Sequence, residues 1–289
     1  MKPTESRPME QWKTICPGLE KKIGPGVATG PWFQYADAIG FEWNTYRVVV
    51  PNLPAELNDF RIVQLSDLHC QPHWQTAYDD LIDRLKARPP DLITITGDII
   101  DDILHPWPCV PTAKKLINAL TAKIGTFGIF GNHDVKLSPA ALGDTLLHLI
   151  DGKQTFIESA GRPLELIATP GPERENYPRG FELSLPAKQP GVPRIVLSHY
   201  PDHFRRMQRI HPDIFLSGHT HGGQACLPGG IALLRHDSLP LSLLKGVHRL
   251  HRCWYFVNRG FGFSTMQFRM FCPAEVIEIR LMQSLPRAD

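Results

Sequence analysis

The chain has 289 residues, with 31 Lys and Arg against 29 Asp and Glu, a formal charge of +2, and 42% of its residues are apolar. That length makes one large domain or two small ones, and the apolar share supports a sizeable core and excludes a disordered chain. The near-balanced charge lacks the basic surplus that nucleic-acid binders carry, so no specific nucleic-acid partner is expected.

Twenty-seven prolines, about twice the usual ~5%, point to many turns rather than long helices. The cysteines at 16, 70, 109, 226, 253 and 272 form no CxxC pair and read as reduced thiols. The N-terminal MKPTESRPMEQWK lacks the apolar stretch of a secretory leader, and no apolar run reaches the roughly 18 residues of a membrane span. A cytoplasmic protein is the expectation.

Residues 1–45 have weak periodicity and read as an irregular arm, with 46–289 as a single domain. Residues 46–50 (YRVVV) form a strand stopped by Pro51, and 61–66 (RIVQLS) a second. Apolar residues at helical spacing predict a helix over 76–86, ended by Pro89-Pro90. A buried strand follows at 91–96, a helix at 113–122, a strand at 126–130 and a helix over 139–150 with Ser138 as N-cap. The six prolines of 170–193 mark a loop. Next come a strand at 194–198, a helix at 202–210 and a strand at 213–217. After 222 the signals are short strands and turns, closing with 275–281, whose alternation suggests a strand on a partly solvated sheet. Strands alternating with helices imply an α/β fold with parallel pairing.

Chemistry-bearing residues stand directly behind the buried strands. Asp67-Leu-His69 follows the first, Gly97-Asp98 the next, then Gly131-Asn-His-Asp134, His199 and Gly218-His-Thr-His221. In open α/β sheets ligands bind beyond the carboxyl ends of the strands. A DxH or a GD alone is a common turn; five such ends in a row are not. Imidazoles and carboxylates without thiolates suit Zn, Fe, Mn or Ni, and a carboxylate such as Asp98 can bridge two ions about 3.5–4 Å apart. A hydroxide between two such ions would be a nucleophile at neutral pH. The glycines before Asp98, Asn132 and His219 relax the backbone where the chain turns and approaches the site.

Together these motifs resemble the calcineurin-like metallophosphoesterase superfamily. The resemblance covers roughly residues 45–282, and Ser198-His-Tyr-Pro-Asp202, Ser217–Gln224 and Val257–Gly262 are similar to the bacterial YaeI/YkuE-like phosphodiesterase branch, which includes UDP-2,3-diacylglucosamine hydrolases. Tyr200 departs from the Asn more frequent there, outside the ligand set. The resemblance implies a four-layer αββα sandwich of two mixed sheets. It implies two divalent ions, Mn favoured, one held by Asp67, His69, Asp98 and His221 and the other by Asp98, Asn132, His199 and His219. His133 would face the leaving group as proton donor or transition-state stabiliser, oriented by Asp134, while a metal-bridging hydroxide attacks phosphorus in line.

The expected function is therefore a phosphodiesterase or pyrophosphatase on a lipid-linked or nucleotide-linked substrate, with UDP-2,3-diacylglucosamine in lipid A synthesis as the example. A cyclic-nucleotide phosphodiesterase, a phosphomonoesterase or a silent scaffold are the alternatives. Residues 231–254 interleave leucines with Arg235, Lys245, Arg249 and Arg252, which suits an amphiphilic substrate or an anionic membrane surface, or a covering loop with core-facing leucines. His203 and His211 read as surface or capping residues, and His73 as a possible phosphate contact. Cys70 and Cys226, beside ligand motifs, read as small buried packing residues.

Overall fold

A parallel strand covered on both faces reads as a near-continuous apolar run, and several stretches here do. The computed structural model describes residues 30–171, 180–233 and 239–284. In chain order the strands are β1 (Phe33–Tyr35), β2 (Glu42–Val50), β3 (Arg61–Leu65), β4 (Leu92–Thr96), β5 (Gly125–Ile129), β6 (Leu147–Leu149), β7 (Gln154–Ser159) and β8 (Arg162–Ala168). They continue as β9 (Arg194–Leu197), β10 (Ile214–Ser217), β11 (Cys226–Leu227), β12 (Ile231–Ala232), β13 (Gly246–Leu250), β14 (Cys253–Val257), β15 (Phe268–Met270) and β16 (Glu275–Gln283). The α-helices are α1 (Thr76–Ala87), α2 (Val110–Ala119), α3 (Phe181–Ser184) and α4 (Phe204–Met207).

Two six-stranded sheets form, in the orders β2-β16-β3-β4-β5-β6 and β13-β14-β10-β9-β8-β7. Strands β3 to β6 run parallel, and β16 joins them antiparallel to β3 and parallel to β2. In the second sheet β14, β10, β9 and β8 are parallel, with β13 and β7 antiparallel at the edges. Period-2 alternation divides the cores. Val63, Leu65, Ile93 and Ile95 pack outward under α1 and α2. Ile62, Leu92 and Ile279 face Leu166, Ile195 and Leu216 of the other sheet. Phe215 and Val196 lie under α4 and the 3₁₀ turn Leu241–Leu243. The layers are αββα, the fourth built of short turns.

The elements differ from expectation where tertiary partners decide. Of the arm expected over 1–45, the described part holds β1 and the start of β2, so the strand expected from Tyr46 begins at Glu42. Asp37 caps α1 by accepting from Thr76 N (2.8 Å) and Ala77 N (3.2 Å). The helix expected at 113–122 runs three residues earlier, with Pro111 in its first turn, where a missing N–H costs nothing. No helix spans 139–150. A 3₁₀ turn (Pro139–Leu142) ends at Gly143, and β6 then pairs with β5, steered by Leu146 N donating to Asn118 Oδ1 (2.9 Å). The helix expected at 202–210 is α4 between two 3₁₀ turns. The expected loop at 170–193 contains α3, and its residues 172–179 lie outside the described ones.

Strand β16 is central and buried, not partly solvated. Its polar residues are matched inside: Glu278 with Arg61 (3.0 Å) and Glu275 with Arg259 (3.1 Å). Among the described residues, no helix is long and apolar enough to cross a membrane.

Candidate metal centre

The carboxyl ends of β3, β4 and β5 from one sheet meet those of β9 and β10 from the other. Backbone bonds lace the turns together: Asp67 N donates to Gly97 O (2.9 Å), His69 N to Asp98 O (3.0 Å) and Gly218 N to His199 O (3.1 Å). Between the sheets, Gln64 Nε2 donates to Ser217 O (3.0 Å). Asp67, His69, Asp98, His219 and His221 all have positive φ, between 41° and 69°. Each such residue costs of order 1–3 kcal/mol, and such strain clusters where function fixes the backbone.

Among the glycines, Gly97 (φ +91°) supplies a left-handed turn. Gly218 serves close approach: a Cβ there would run into Ser66 Oγ and Asp67 Oδ2.

Three groups of ligand atoms result, one of them joining His69, Asp101 and His133. Asp67, His69, Asp98 and His221 bring theirs within 4.8 Å of one another, and so do Asp98, His199 and His219. Asp98 belongs to both of these. His69 Nε2 lies 3.0 Å from His221 Nε2 and 3.6 Å from Asp98 Oδ2; His221 Nε2 is 3.5 Å from Asp67 Oδ1. In the second group His199 Nε2 is 3.0 Å from Asn132 Oδ1, 3.2 Å from His219 Nδ1 and 3.4 Å from Asp98 Oδ2.

This donor set fits divalent cations. His199 Nδ1 donates to Thr96 O (2.9 Å), so in the neutral ring Nε2 presents a lone pair, as do Asn132 Oδ1 and Asp98 Oδ2 around it. Lone pairs converging in a buried space call for a cation. The electrostatics agree. Burial alone would lower His199, but Asp98 and Asp67 push it up to about 9. Burial alone would raise Asp98, but His199, His69 and His133 hold it well below the carboxylate range. Burial and neighbouring His69 and Arg269 hold His221 far below the usual imidazole value. Backbone amides fix both carboxylates: His219 N donates to Asp67 Oδ1 (2.9 Å) and His133 N to Asp98 Oδ1 (2.8 Å).

Residues 60–223, over half of the chain, match the family model of the calcineurin-like phosphoesterases. The chain belongs to that family. This calcineurin-like phosphoesterase is 29% identical over 259 residues to the uncharacterized metallophosphoesterase YkuE of Bacillus subtilis, covering 84% of this chain and 86% of that one. It is 28% identical over 236 residues to the phosphodiesterase YaeI of Escherichia coli, covering 77% and 82%. With the UDP-2,3-diacylglucosamine pyrophosphatase LpxG of Chlamydia muridarum it shares 26% over 302 residues, covering 81% and 87%. Membership makes the phosphoesterase a hydrolase whose Asp and His cluster suits divalent metal ions.

The catalytic pair expected from the sequence is placed as follows. His133 is half-buried on the 3₁₀ turn Asn132–Asp134, its Nδ1 donating to Asp101 O (2.5 Å) and its ring edge-on to His69. The Asp134 carboxylate accepts from Ile99 N, Ile100 N and Gly131 N at 2.9–3.1 Å. It therefore staples the Asp98 turn to the Asn132 turn, and the contact that orients His133 comes from Asp101. The sequence reading missed Asp101, whose Oδ1 lies 3.3 Å from His69 Nδ1; the run Asp98-Ile-Ile-Asp-Asp102 was the available signal. It also missed Arg269, fully buried with Nη2 3.2 Å from His221 Nδ1. Tyr200 is buried with its ring 4.6 Å from that of His219.

Other expectations move. His203 is buried beside Ser198, whereas His211 is exposed at the end of a turn. His73 is exposed and joins none of the ligand groups. In 231–254, Leu239, Leu243, Leu244, Val247 and Leu250 are core residues, so the covering-loop reading holds for them. Ile231, Leu233 and Leu241 are exposed, and Arg235 lies outside the described residues. Cys70, Cys109, Cys226, Cys253 and Cys272 are free and buried.

Proposed function

We propose that this phosphoesterase is a dinuclear metal-dependent phosphodiesterase or pyrophosphatase, with Asp67, His69, Asp98 and His221 around one ion and Asp98, Asn132, His199 and His219 around the other. The supporting observation is Asp98, shared by two convergent ligand groups. Divalent ions there, manganese among the candidates, would polarise phosphoryl oxygens and lower the pKa of a water nucleophile. The chain's own part is positional. Fixed amides hold Asp67 and Asp98, and Thr96 O keeps His199 Nε2 turned inward. His133, held at Nδ1 by Asp101 O, handles the leaving-group proton at Nε2.

The substrate we favour is amphiphilic. Trp32, Phe33 and Tyr35 are exposed on or beside β1, which pairs with β15; Met270 of β15 bridges to Ala225, next to the hairpin carrying exposed Leu227 and Ile231. That apolar ribbon suits acyl chains or peripheral contact with an anionic leaflet, with exposed Leu233 adjoining, its N–H donating to Ala225 O. Similarity to LpxG adds weight to a lipid-linked diphosphate. The test is hydrolysis of UDP-2,3-diacylglucosamine by the manganese-loaded protein beside bis-p-nitrophenyl phosphate. Cleavage of both supports the reading, cleavage of the generic diester alone removes the lipid-linked substrate, and failure on both removes the diesterase. Sedimentation with anionic liposomes at low salt tests the surface contact separately.

A further inference from the structure

A cavity of about 650 Å³, a size that takes a small organic ligand, lies at the end of the second sheet opposite the metal centre. There Val192 leads into β9, Asp213 leads into β10, and residues 250–253 carry β13 into β14. Strands β9 and β10 separate this space from His199 and His219, which follow their other ends. Its occupant is therefore not the reacting phosphoester.

The lining divides by depth. Val192, Phe204, Pro212, Leu250 and Cys253 are buried and make an apolar floor. His211, His251 and Arg252 are exposed and stand at the rim. Both histidines hold a left-handed backbone (φ 53° and 54°), a costly conformation that fixes the two turns carrying them. Among the described residues, Asp213 is the one acid of the lining, and it is already satisfied. Its Oδ1 accepts from Lys188 Nζ (2.5 Å) and its Oδ2 from Arg194 N (2.8 Å). Lys188 balances that carboxylate, while Arg252 pairs with no described residue. The lining is thus left with a positive charge at the rim. A cation would meet Arg252 with no open carboxylate to pair. An inorganic anion would use the rim and leave the floor wet, and a neutral apolar molecule would use the floor alone.

We propose that this cavity binds a small amphiphilic anion, its apolar body seated on the buried floor and its single carboxylate or phosphate head held at the rim by Arg252. The guanidinium offers a fork of donors that matches either head. His211 and His251 stand beside it, and the exposed carboxamides of Asn52 and Gln189 add further donors. The site gives the end of the leucine-rich, basic segment 231–254 a role of its own: Leu250 and Cys253 turn inward, while His251 and Arg252 stay at the mouth.

Calorimetric titration of the whole chain at neutral pH and low salt tests this, each probe kept below its micelle concentration. Octanoate and octyl phosphate carry the two heads; octanol, octyltrimethylammonium and inorganic phosphate are the controls. One octanoate or octyl phosphate per chain is expected, at least tenfold tighter than any control, and the tighter of the two names the head. Butyrate should bind at least tenfold more weakly than octanoate, because four CH₂ groups leave the floor. Arg252→Ala, at an exposed position, should keep the wild-type Tm and lose at least fivefold in affinity for the anion. Ile231→Ser, on the exposed apolar ribbon, should leave that affinity unchanged. Absence of saturable binding would overturn the proposal, as would octanol, octyltrimethylammonium or inorganic phosphate binding as tightly as the amphiphilic anions. Unchanged affinity in Arg252→Ala, or a loss in Ile231→Ser, would place the binding elsewhere and overturn it too.

Discussion

Asp98 stands at the centre of the molecule's chemistry because one carboxylate faces His69 on one side and His199 on the other. His133 lies beside the ligand atoms, its ring edge-on to that of His69 and its Nδ1 held by the Asp101 backbone carbonyl. His133→Ala is therefore expected to lower turnover on bis-p-nitrophenyl phosphate by about 10²–10⁴-fold, the usual range for a lost acid or base. Metal content by elemental analysis should stay near wild type, and loss of metal would sink the assigned role. Gly218→Ala makes the opposite case. Its Cβ would displace Asp67, so metal affinity should fall with activity. At this scale the ligand types were readable, because short motifs behind strands encode them. Asp134 was named from its motif but its backbone partners were not, and Asp101 was missed, because the groups they meet come from other turns that no spacing rule reveals. His203 looked like a surface residue because nothing local shows that Ser198 packs over it.

Elements show the same division between local and tertiary control. The buried strands were found because a covered parallel strand is apolar throughout. The segment 139–150 was misread because Leu142, Leu147 and Ile150 satisfy a helical spacing as well as a turn followed by an edge strand, and β5 decides between them. Strand β16 misled by its charges, which are buried pairs. Arg61→Ala would strand Glu278 in the sheet and should cost about 3–5 kcal/mol by urea unfolding at pH 7. Burial opposes ionisation of Glu278, but the Arg61 hydrogen bonds outweigh it and hold the carboxyl below its usual value. The pair's contribution is thus complete above the unfolded Glu pKa of about 4.3 and is lost as pH falls through the lower folded value. The gap between wild type and Arg61→Ala should narrow below about pH 4. A gap constant from pH 7 to pH 3 would show that the pair does not carry the difference.

At the scale of the whole molecule, two mixed sheets bring their carboxyl ends to one point, and both ligand groups that share Asp98 draw residues from the two sheets. Periodicity predicted parallel α/β pairing; the division into two stacked sheets followed only from the family resemblance, since sheet order is not written in any local pattern. Positive φ at Asp67, His69, Asp98, His219 and His221 implies a backbone held under strain that ligand binding would offset. Chelation should therefore destabilise the protein: at 100-fold excess over Kd each ion contributes about 2.7 kcal/mol, readable as a lowered Tm after EDTA and recovery with Mn. The most direct measurement is the metal stoichiometry of the wild type and of Asp98→Asn, by calorimetric titration with Mn and elemental analysis. Two ions per wild-type chain, with both sites weakened at least tenfold by the single substitution, is the expected result. One ion per chain, or an Asp98→Asn protein that still binds two with unchanged affinity, would contradict a dinuclear centre built around Asp98.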